Sequence, residues 1–442
     1  MHKAPEQVRS QKTVLVLGAY GLIGACVARH LMDRGYDVRG MGRDLRMAQQ
    51  VLPGLDWVMR DMADMTSTDN WADVLQGVTD VVNCSGALQD GPRDNLQAVH
   101  HHAIAALAQA CATGDINLVQ ISAVGVNAQA DTAFMATKAF GDAAVRASGC
   151  QYRLFRPGLV LAPQAYGGTA LLRMLAAIPL VQPIALANAQ IQTVSVADVA
   201  RAVEAGIDGR VPPGFEGDLV EDAPHNLSDL VATLRGWLGF APARWQLRLP
   251  GWSVSVVAQG ADFLSRLGWR SPLRSTALRV LQDGVRGDPG AWRALELGAV
   301  RPLTGTLQSM PARTEDRLAA RMSLLMPLVI AVLAVFWALS GAIGLVRANT
   351  AAQVLEQVGW PHGIAVASVV FWALVDLGLA ALILMRRYAK AACWGMIGVS
   401  LFYLVASTLS VPHMWLDPLG PLVKILPSMV LALVARVLLE SR

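Results

Sequence analysis

The chain has 442 residues, 54% hydrophobic and only 16% charged, against roughly 25% charged in an ordinary soluble domain. That length suits two or three domains, and the composition excludes disorder and argues against a wholly soluble protein. A net charge of +4, with no Lys/Arg run interleaved with aromatics, gives no footprint for nucleic acid. The charge is unevenly spread. Only 11 charged residues fall among the 121 from Met322 to Arg442, leaving 59 of the 70 to the 321 residues before them. Cys26, Cys84, Cys111, Cys150 and Cys393 are odd in number, scattered and free of CxxC, a pattern of reduced thiols in a cytosolic compartment. The opening MHKAPEQVRSQK has no apolar core, so no secretory signal peptide is expected.

Thr13 to Leu17 reads as a buried strand and runs into Gly18-Ala-Tyr-Gly21-Leu-Ile-Gly24, then into a helical pattern that stops at Gly35. In this strand–turn–helix setting Gly18 permits the tight turn. Gly21 lets backbone N–H groups approach a pyrophosphate, and Gly24 lets the helix pack close to the strand. The second strand, about Tyr36 to Met41, ends at Gly42-Arg43-Asp44. An arginine there suits the 2′-phosphate of NADP and an acid the 2′-OH of NAD; Arg43 comes first and favours NADP, while Asp44 keeps NAD as the alternative. Further strands are expected at Trp57–Met59, Thr79–Cys84, Ile116–Ile121 and Tyr152–Phe155, with helices over about 95–113 and 134–148. The alternation predicts an α/β fold with a doubly wound, mostly parallel sheet. The run His100-His101-His102 reads as a solvated helix face, because adjacent helical residues point in different directions; no metal site is expected.

These pieces resemble the short-chain dehydrogenase/reductase superfamily, in its extended or atypical, NAD(P)-binding epimerase-like branch. The likeness covers about residues 12–240. It rests on the Gly18–Gly24 turn, Asp61-Met62, Val82-Asn83-Cys84-Ser85-Gly86, Ser122, Thr137-Lys138, Arg156-Pro157-Gly158 and Val194 to Asp198 with the following Val-Ala. It implies a Rossmann domain whose cofactor contacts include Gly18, Tyr20, Gly21, Leu22, Ile23, Gly24, Arg43, Asp61, Met62, Cys84, Ser85, Gly86, Lys138 and Pro157. Asp61 and Met62 would lie by the adenine and Ser85-Gly86 along the ribose. The resemblance also implies a catalytic group of Ser122, a tyrosine and Lys138. The lysine would bond the nicotinamide ribose and lower the phenol pKa, so that the phenol exchanges a proton while hydride moves.

In that pattern the tyrosine stands four residues before the lysine, on one helical face. Here the segment is Phe134-Met-Ala-Thr-Lys138, and a benzyl group neither gives nor takes a proton. Cofactor binding does not need the phenol; ordinary carbonyl reduction does. Tyr166 and Tyr152 are the alternatives, and neither is spaced to lie beside Lys138.

Between about Leu249 and Leu297 apolar patches alternate with Arg266, Arg270, Arg274, Arg279 and Arg286. Amphipathic helices on the cytoplasmic leaflet or a plain soluble helical pair both account for this. Met322–Val346 and Ala391–Val411 then carry no charge, and Gly363–Met385 carries only Asp376, so each is expected to span the roughly 30 Å hydrocarbon core. A fourth span is expected at about Leu419–Leu439. Asp376, at mid-span, needs a partner such as His362, His413 or another helix. The motifs Glu315–Arg321 running into Pro327, and Phe336-Trp-Ala-Leu-Ser-Gly341 with Gly344, resemble the DoxX-like family of four-helix membrane proteins, which implies a redox-associated module. Arg313, Arg317, Arg321, Arg386, Arg387, Lys390, Arg436 and Arg442 gather on one side, and the positive-inside rule makes that side cytoplasmic.

The expected architecture is therefore a dinucleotide-binding domain over 1–240, a juxtamembrane linker over 241–320 and a four-helix, all-α transmembrane domain over 321–442. The expected function is a membrane-anchored NAD(P)(H)-binding oxidoreductase exchanging hydride with a hydrophobic or quinone-like acceptor, with the lipid bilayer as partner. The alternative is a non-catalytic dinucleotide sensor or assembly module.

Overall fold

The run Thr13–Leu17 (β1) is enclosed from Val14 onward. Its side chains alternate between two cores: Val14 and Val16 enter one, Leu15 and Leu17 the other. A strand covered on both faces reads as a continuous apolar run, which is why it was legible as a strand. The computed structural model describes residues 12–87, 89–91, 95–269, 275–418 and 420–440. The N-terminal stretch through Gln11, and Arg270, Arg274, Leu419 and Arg442, lie outside the described residues.

From β1 the chain passes through α1 (Leu22–Asp33), β2 (Asp37–Gly42), α2 (Leu45–Val51), β3 (Asp56–Met59) and β4 (Asp80–Asn83). There follow α3 (Ala103–Thr113), β5 (Asn117–Ile121), α4 (Ala133–Ala147), β6 (Tyr152–Pro157) and β7 (Leu159–Leu161). Next come α5 (Gly167–Ala176), β8 (Val181–Ile184), β9 (Gln190–Ile191), β10 (Thr193–Ser195), α6 (Val196–Ile207) and β11 (Phe215–Leu219). Seven parallel strands form one sheet in the order β11-β6-β5-β4-β1-β2-β3. Helices α1 and α6 cover one face and α3 the other. The order reverses between β1 and β4, and the crevice at the carboxyl ends of those two strands is where such sheets take ligands.

Six strands were expected; β11 is a seventh. Its sequence, Phe-Glu-Gly-Asp-Leu, lacks an apolar run because it closes the sheet edge, where Glu216 takes Arg146 and Arg156.

Beyond β11 lie β12 (His225–Asn226), α7 (Leu227–Trp237) and β13 (Trp245–Arg248), then α8 (Gly251–Arg266), α9 (Ser275–Asp283), α10 (Gly290–Arg293) and α11 (Leu303–Ser309). Strands β7 with β10, β8 with β13, and β9 with β12 make three small pairs. The chain divides into two compact units, one of Met1–Ser255 and Pro272–Arg313, the other of Val256–Ser271 and Thr314–Arg442. In the first, the segment after α9 folds back onto the domain. Gln192 donates its backbone N–H to Val285 at 2.8 Å. Trp292 meets Phe155 edge-on at 6.0 Å. The buried Asp198 carboxylate accepts the Arg301 backbone N–H at 3.0 Å and its guanidinium at 2.8 and 2.9 Å.

The second unit holds α12 (Thr314–Val346), α13 (Ala348–Glu356), α14 (His362–Leu384), α15 (Ala389–Ser410) and α16 (Ile425–Leu438). With 33, 23 and 22 residues, α12, α14 and α15 are about 50, 35 and 33 Å long at ~1.5 Å per residue. Each is long and apolar enough to cross a membrane. Helix α16 has 14 residues, about 21 Å, and begins later than the expected fourth span because the turn around Gly420 and Pro421 precedes it. Within this unit Leu267, just past α8, accepts the Arg386 backbone N–H at 2.9 Å, and Trp269 donates its indole N–H to Leu384 at 2.6 Å.

Replacing Asp198 by Ala leaves the Arg301 backbone N–H without its acceptor, while the guanidinium, about a third exposed, keeps access to water. Thermal unfolding of D198A should show a loss of about 1–3 kcal/mol; an unchanged stability would contradict the clamp.

Candidate functional site

The turn between β1 and α1 is built for close backbone approach. Gly18 has φ +68°, and a Cβ there would sit 3.0 Å from Ser85 Cα. A Cβ on Gly24 would lie 2.3 Å from the Gly18 carbonyl oxygen, so only glycine lets α1 start against this turn. Gly21 is the N-cap, makes no side-chain cap bond, and no acid stands in the first turn of α1. The first N–H groups of that helix therefore face the crevice without a side-chain partner, the arrangement that receives a phosphate. Leu22 and Ile23 begin the helix, half-buried. These residues fit a dinucleotide.

The far end of the crevice is set by β2 and β3. Tyr20 lies over Gly42, where a Cβ would be 2.2 Å from its ring, and 6.0 Å from the Trp57 ring. Arg43 donates its backbone N–H to the Tyr20 hydroxyl at 3.3 Å, and its guanidinium reaches Asp61 at 3.3 Å. Asp61 also accepts the Ala63 N–H at 3.1 Å, with Met62 buried beside it. Asp44 does something the sequence reading did not anticipate. Its carboxylate caps α2 by accepting the Arg46 and Met47 N–H groups at 3.0 and 3.2 Å.

At the other end, the loop after β4 meets α4. Asn83 accepts from the Ser85 N–H at 3.0 Å and hydroxyl at 2.5 Å, holding Ser85-Gly86 against the turn. Lys138 is buried; its Nζ donates to the Ile121 carbonyl at 3.3 Å and stands 3.8 Å from where a Gly86 Cβ would be. Burial pushes its pKa down, opposed by the neighbouring acidic groups of Asp142 and then Cys84. Burial likewise lifts the Cys84 thiol to about 12, against the pull of Lys138. Phe134 occupies the expected tyrosine position. Its ring lies 5.9 Å from the Lys138 ammonium and edge-on to His100 at 5.7 Å.

His100 corrects the sequence reading. It is buried, 3% exposed, not solvated, because Ala98–His102 forms a π-helical turn that rotates the side chains out of α-helical phase, as such turns do at functional sites. Its Nε2 accepts the Ala87 N–H at 3.0 Å, so Nδ1 carries the proton and donates to Thr137 Oγ1 at 3.0 Å. Thr137 in turn donates to the Ala133 carbonyl at 2.7 Å. Burial first, and Lys138 second, push the imidazole pKa down to about 3. His100 thus pins the Gly86 loop to the helix that carries Lys138.

Ser122, at the end of β5, is buried and donates its hydroxyl to Asp142 Oδ2 at 2.6 Å. Asp142 is 1% exposed, and its other oxygen has no hydrogen-bond partner. Burial pushes its pKa up, opposed by the Ser122 hydrogen bond, then by Lys138, Arg156 and Arg146. Sequence reasoning missed Asp142; its position one turn past Lys138 was the available signal. Neither alternative tyrosine joins the group. Tyr152 donates to Glu216 at 3.3 Å, and Tyr166 is 66% exposed at the start of α5. Pro157 ends β6, buried, and Arg156 pairs with Glu216 and Asp218.

Residues 18–208 match the NAD(P)H-binding family, and residues 334–433 match the DoxX-like family. The chain is an NAD(P)H-binding Rossmann domain joined to a DoxX-like domain. Among solved structures, the Rossmann fold is similar to the Bordetella bronchiseptica enzyme WbmG in complex with NAD, at 15% identity over 72% of this chain and 96% of that one, TM-score 0.52. It is also similar to WbmH from the same organism in complex with NAD+, at 18% identity over 71% and 98%, TM-score 0.51. A third is a nucleoside-diphosphate-sugar epimerase from Staphylococcus aureus, at 14% identity over 67% and 99%, TM-score 0.50. At these identities the likeness is one of fold. No curated relative matches the chain.

The DoxX-like domain has its own polar cluster. Asp376 is buried on α14, accepting the Ser340 hydroxyl of α12 at 2.7 Å and the Tyr403 hydroxyl of α15 at 3.4 Å. Its partners are thus other helices, while His362 pairs with Glu356 at 2.7 Å.

Two outcomes follow. Gly24→Val should abolish NADPH binding, read by nicotinamide fluorescence, because its side chain enters the Gly18 carbonyl; retained affinity would refute the turn assignment. His100 titrates near 6.5 when unfolded and about 3 when folded, so the unfolded state binds the extra proton. Its contribution to stability is complete above pH 6.5 and is lost as pH falls toward 3, at up to about 1.4 kcal/mol per pH unit. In pH-dependent thermal unfolding, H100Q should show a shallower acid decline than wild type.

Proposed function

We propose that this protein is a membrane-anchored NAD(P)(H)-binding oxidoreductase of short-chain dehydrogenase type, acting on a hydrophobic or quinone-like acceptor. The observation that carries this reading is Lys138. An ammonium held inside the domain beside Gly86 is costly to bury, and its position suits a hydrogen bond to the nicotinamide ribose. In this reading the Gly18–Gly24 turn holds the pyrophosphate, Ser85 and Gly86 line the ribose, Cys84 and Pro157 border the nicotinamide end, and Asp61 with Met62 lies by the adenine. When bound, the cofactor supplies or takes up hydride; the chain binds, orients and handles the proton.

NADP is the favoured cofactor. Arg43 stands first after β2 and carries its guanidinium, paired with Asp61 at 3.3 Å, to the adenosine end, while Asp44 caps α2 through Oδ1. NAD stands as the alternative, since two of the similar structures hold it. The charge asymmetry of the flanking segments supports a cytosolic Rossmann domain and C-terminus at a cytoplasmic membrane, with functional divisions at 1–240, 241–320 and 321–442. A second reading, a non-catalytic dinucleotide sensor or assembly module, draws its support from Phe134, whose ring packs against both His100 and Lys138.

Detergent-purified protein titrated with NADPH and NADH, then challenged with quinones and aldehydes, separates these readings. Oxidation of NADPH by at least one acceptor supports the first; tight binding without oxidation leaves only the second. Arg43→Ala should weaken NADPH about tenfold or more, as expected for losing a charged hydrogen bond, and leave NADH within about twofold. Equal effects on both nucleotides would remove the NADP assignment. Phe134→Tyr should create or raise carbonyl reductase activity, and no change would contradict the placement of residue 134.

A further inference from the structure

With a benzyl group at residue 134, the proton needed at a reacting oxygen has to come from another group. His100 is excluded by its own bonding: both ring nitrogens are engaged, one by the Ala87 N–H and one by Thr137. Tyr152 and Tyr166 lie elsewhere. At the carboxyl end of β5, where ligands of such sheets bind, Ser122 meets Asp142 of α4. The Ser122 hydroxyl donates to Asp142 Oδ2 at 2.6 Å when Asp142 is a carboxylate; with a proton on Oδ2 the same contact reverses, the Asp142 O–H donating to Ser122 Oγ and freeing the Ser122 O–H for a substrate oxygen. Asp142 keeps one oxygen buried and without a hydrogen-bond partner, an arrangement that disfavours the carboxylate, since that oxygen has given up water for nothing.

We propose that Ser122 and Asp142 form a two-residue proton relay that replaces the missing phenol. This rests on the oxidoreductase reading above. As hydride reaches a carbonyl carbon, the C=O π pair becomes a lone pair on oxygen. The Ser122 O–H bond breaks and its proton bonds to that oxygen, while the Asp142 carboxyl O–H breaks and its proton passes to Ser122. Asp142 is left as a carboxylate and regains a proton from solvent; alcohol oxidation runs the same transfers in reverse. Facing Asp142 are Lys138 and Arg146 of its own helix, Arg156 of β6 and Ser122 of β5. Neutral His100 stands on the π turn whose backbone packs against Gly141. Those cations oppose protonation and burial favours it. Ser122 is the catalytic residue of the pair, and Asp142 positions and recharges it.

The test has two arms on the full-length protein in detergent. The infrared spectrum of the wild type at neutral pH should contain a protonated-carboxyl C=O band that Asp142→Asn removes and Ser122→Ala shifts; an unchanged spectrum in D142N overturns the proposal. In the second arm NADPH oxidation by 9,10-phenanthrenequinone is followed against pH. D142N and S122A should lose about 100-fold or more, the usual range for general acid–base catalysis, with NADPH affinity kept within about twofold. Asp142→Glu should retain turnover with a displaced pH profile, and it serves as the second variant if D142N does not fold. Wild-type rate and pH profile in D142N overturn the relay while leaving the oxidoreductase reading intact. Wild type that binds NADPH but passes hydride to neither this quinone nor the acceptor panel overturns both.

Discussion

An ammonium ion inside a protein has to be held by what surrounds it, because water no longer holds it. Lys138 imposes that requirement on the whole nicotinamide end of the crevice. One of its three donors goes to the last carbonyl of β5. The Asp142 carboxyl stands one turn along the same helix, and the loop at Gly86 closes in from β4. That closure works because His100 ties the loop to α4 through Ala87 on one side and Thr137 on the other. The π turn at Ala98–His102 is what aims His100 inward. Loop, helix and strand end are thus one mechanical unit, organised around a single buried charge.

The parts of this arrangement that were legible in the sequence are those whose signal is local. The run Thr13–Leu17 is apolar because β1 is covered on both faces, and the glycines at 18, 21 and 24 sit at intervals dictated by backbone contact. The helix carrying Lys138 and the helices α12, α14 and α15 follow from pattern and length. What escaped depends on distant neighbours or a break in periodicity. Strand β11 is recognisable only by its ladder to β6. His100 defeats an α-helical phase argument because the helix is not α there. Asp142 looks like any polar residue on a helix until Ser122 arrives from β5. Asp44, the acid that keeps NAD as the alternative, also has a local role that a lone acid after β2 does not announce: its Oδ1 caps the first N–H groups of α2, as a carboxylate at the start of a helix does.

The DoxX-like domain, taken by itself, shows the same division. Length and lack of charge announce its apolar helices, whereas the meeting of Ser340, Asp376 and Tyr403 from three different helices is a tertiary fact. A carboxyl at mid-span is tolerated only with partners, and two hydroxyls provide them. Helix α16 falls short of the expected span because a Gly-Pro turn takes its first residues.

The account stands or falls on whether Lys138 serves a bound nucleotide. Isothermal titration of NADPH into wild type and Lys138→Met, a change that keeps the length of the side chain and removes its charge, measures this directly. Weakening by about tenfold or more, the worth of a hydrogen bond from a charged donor, is the expected result, with thermal stability unchanged or raised because a buried charge has gone. Indistinguishable affinity in the two proteins would mean that the buried ammonium belongs to the domain's own structure and not to a cofactor.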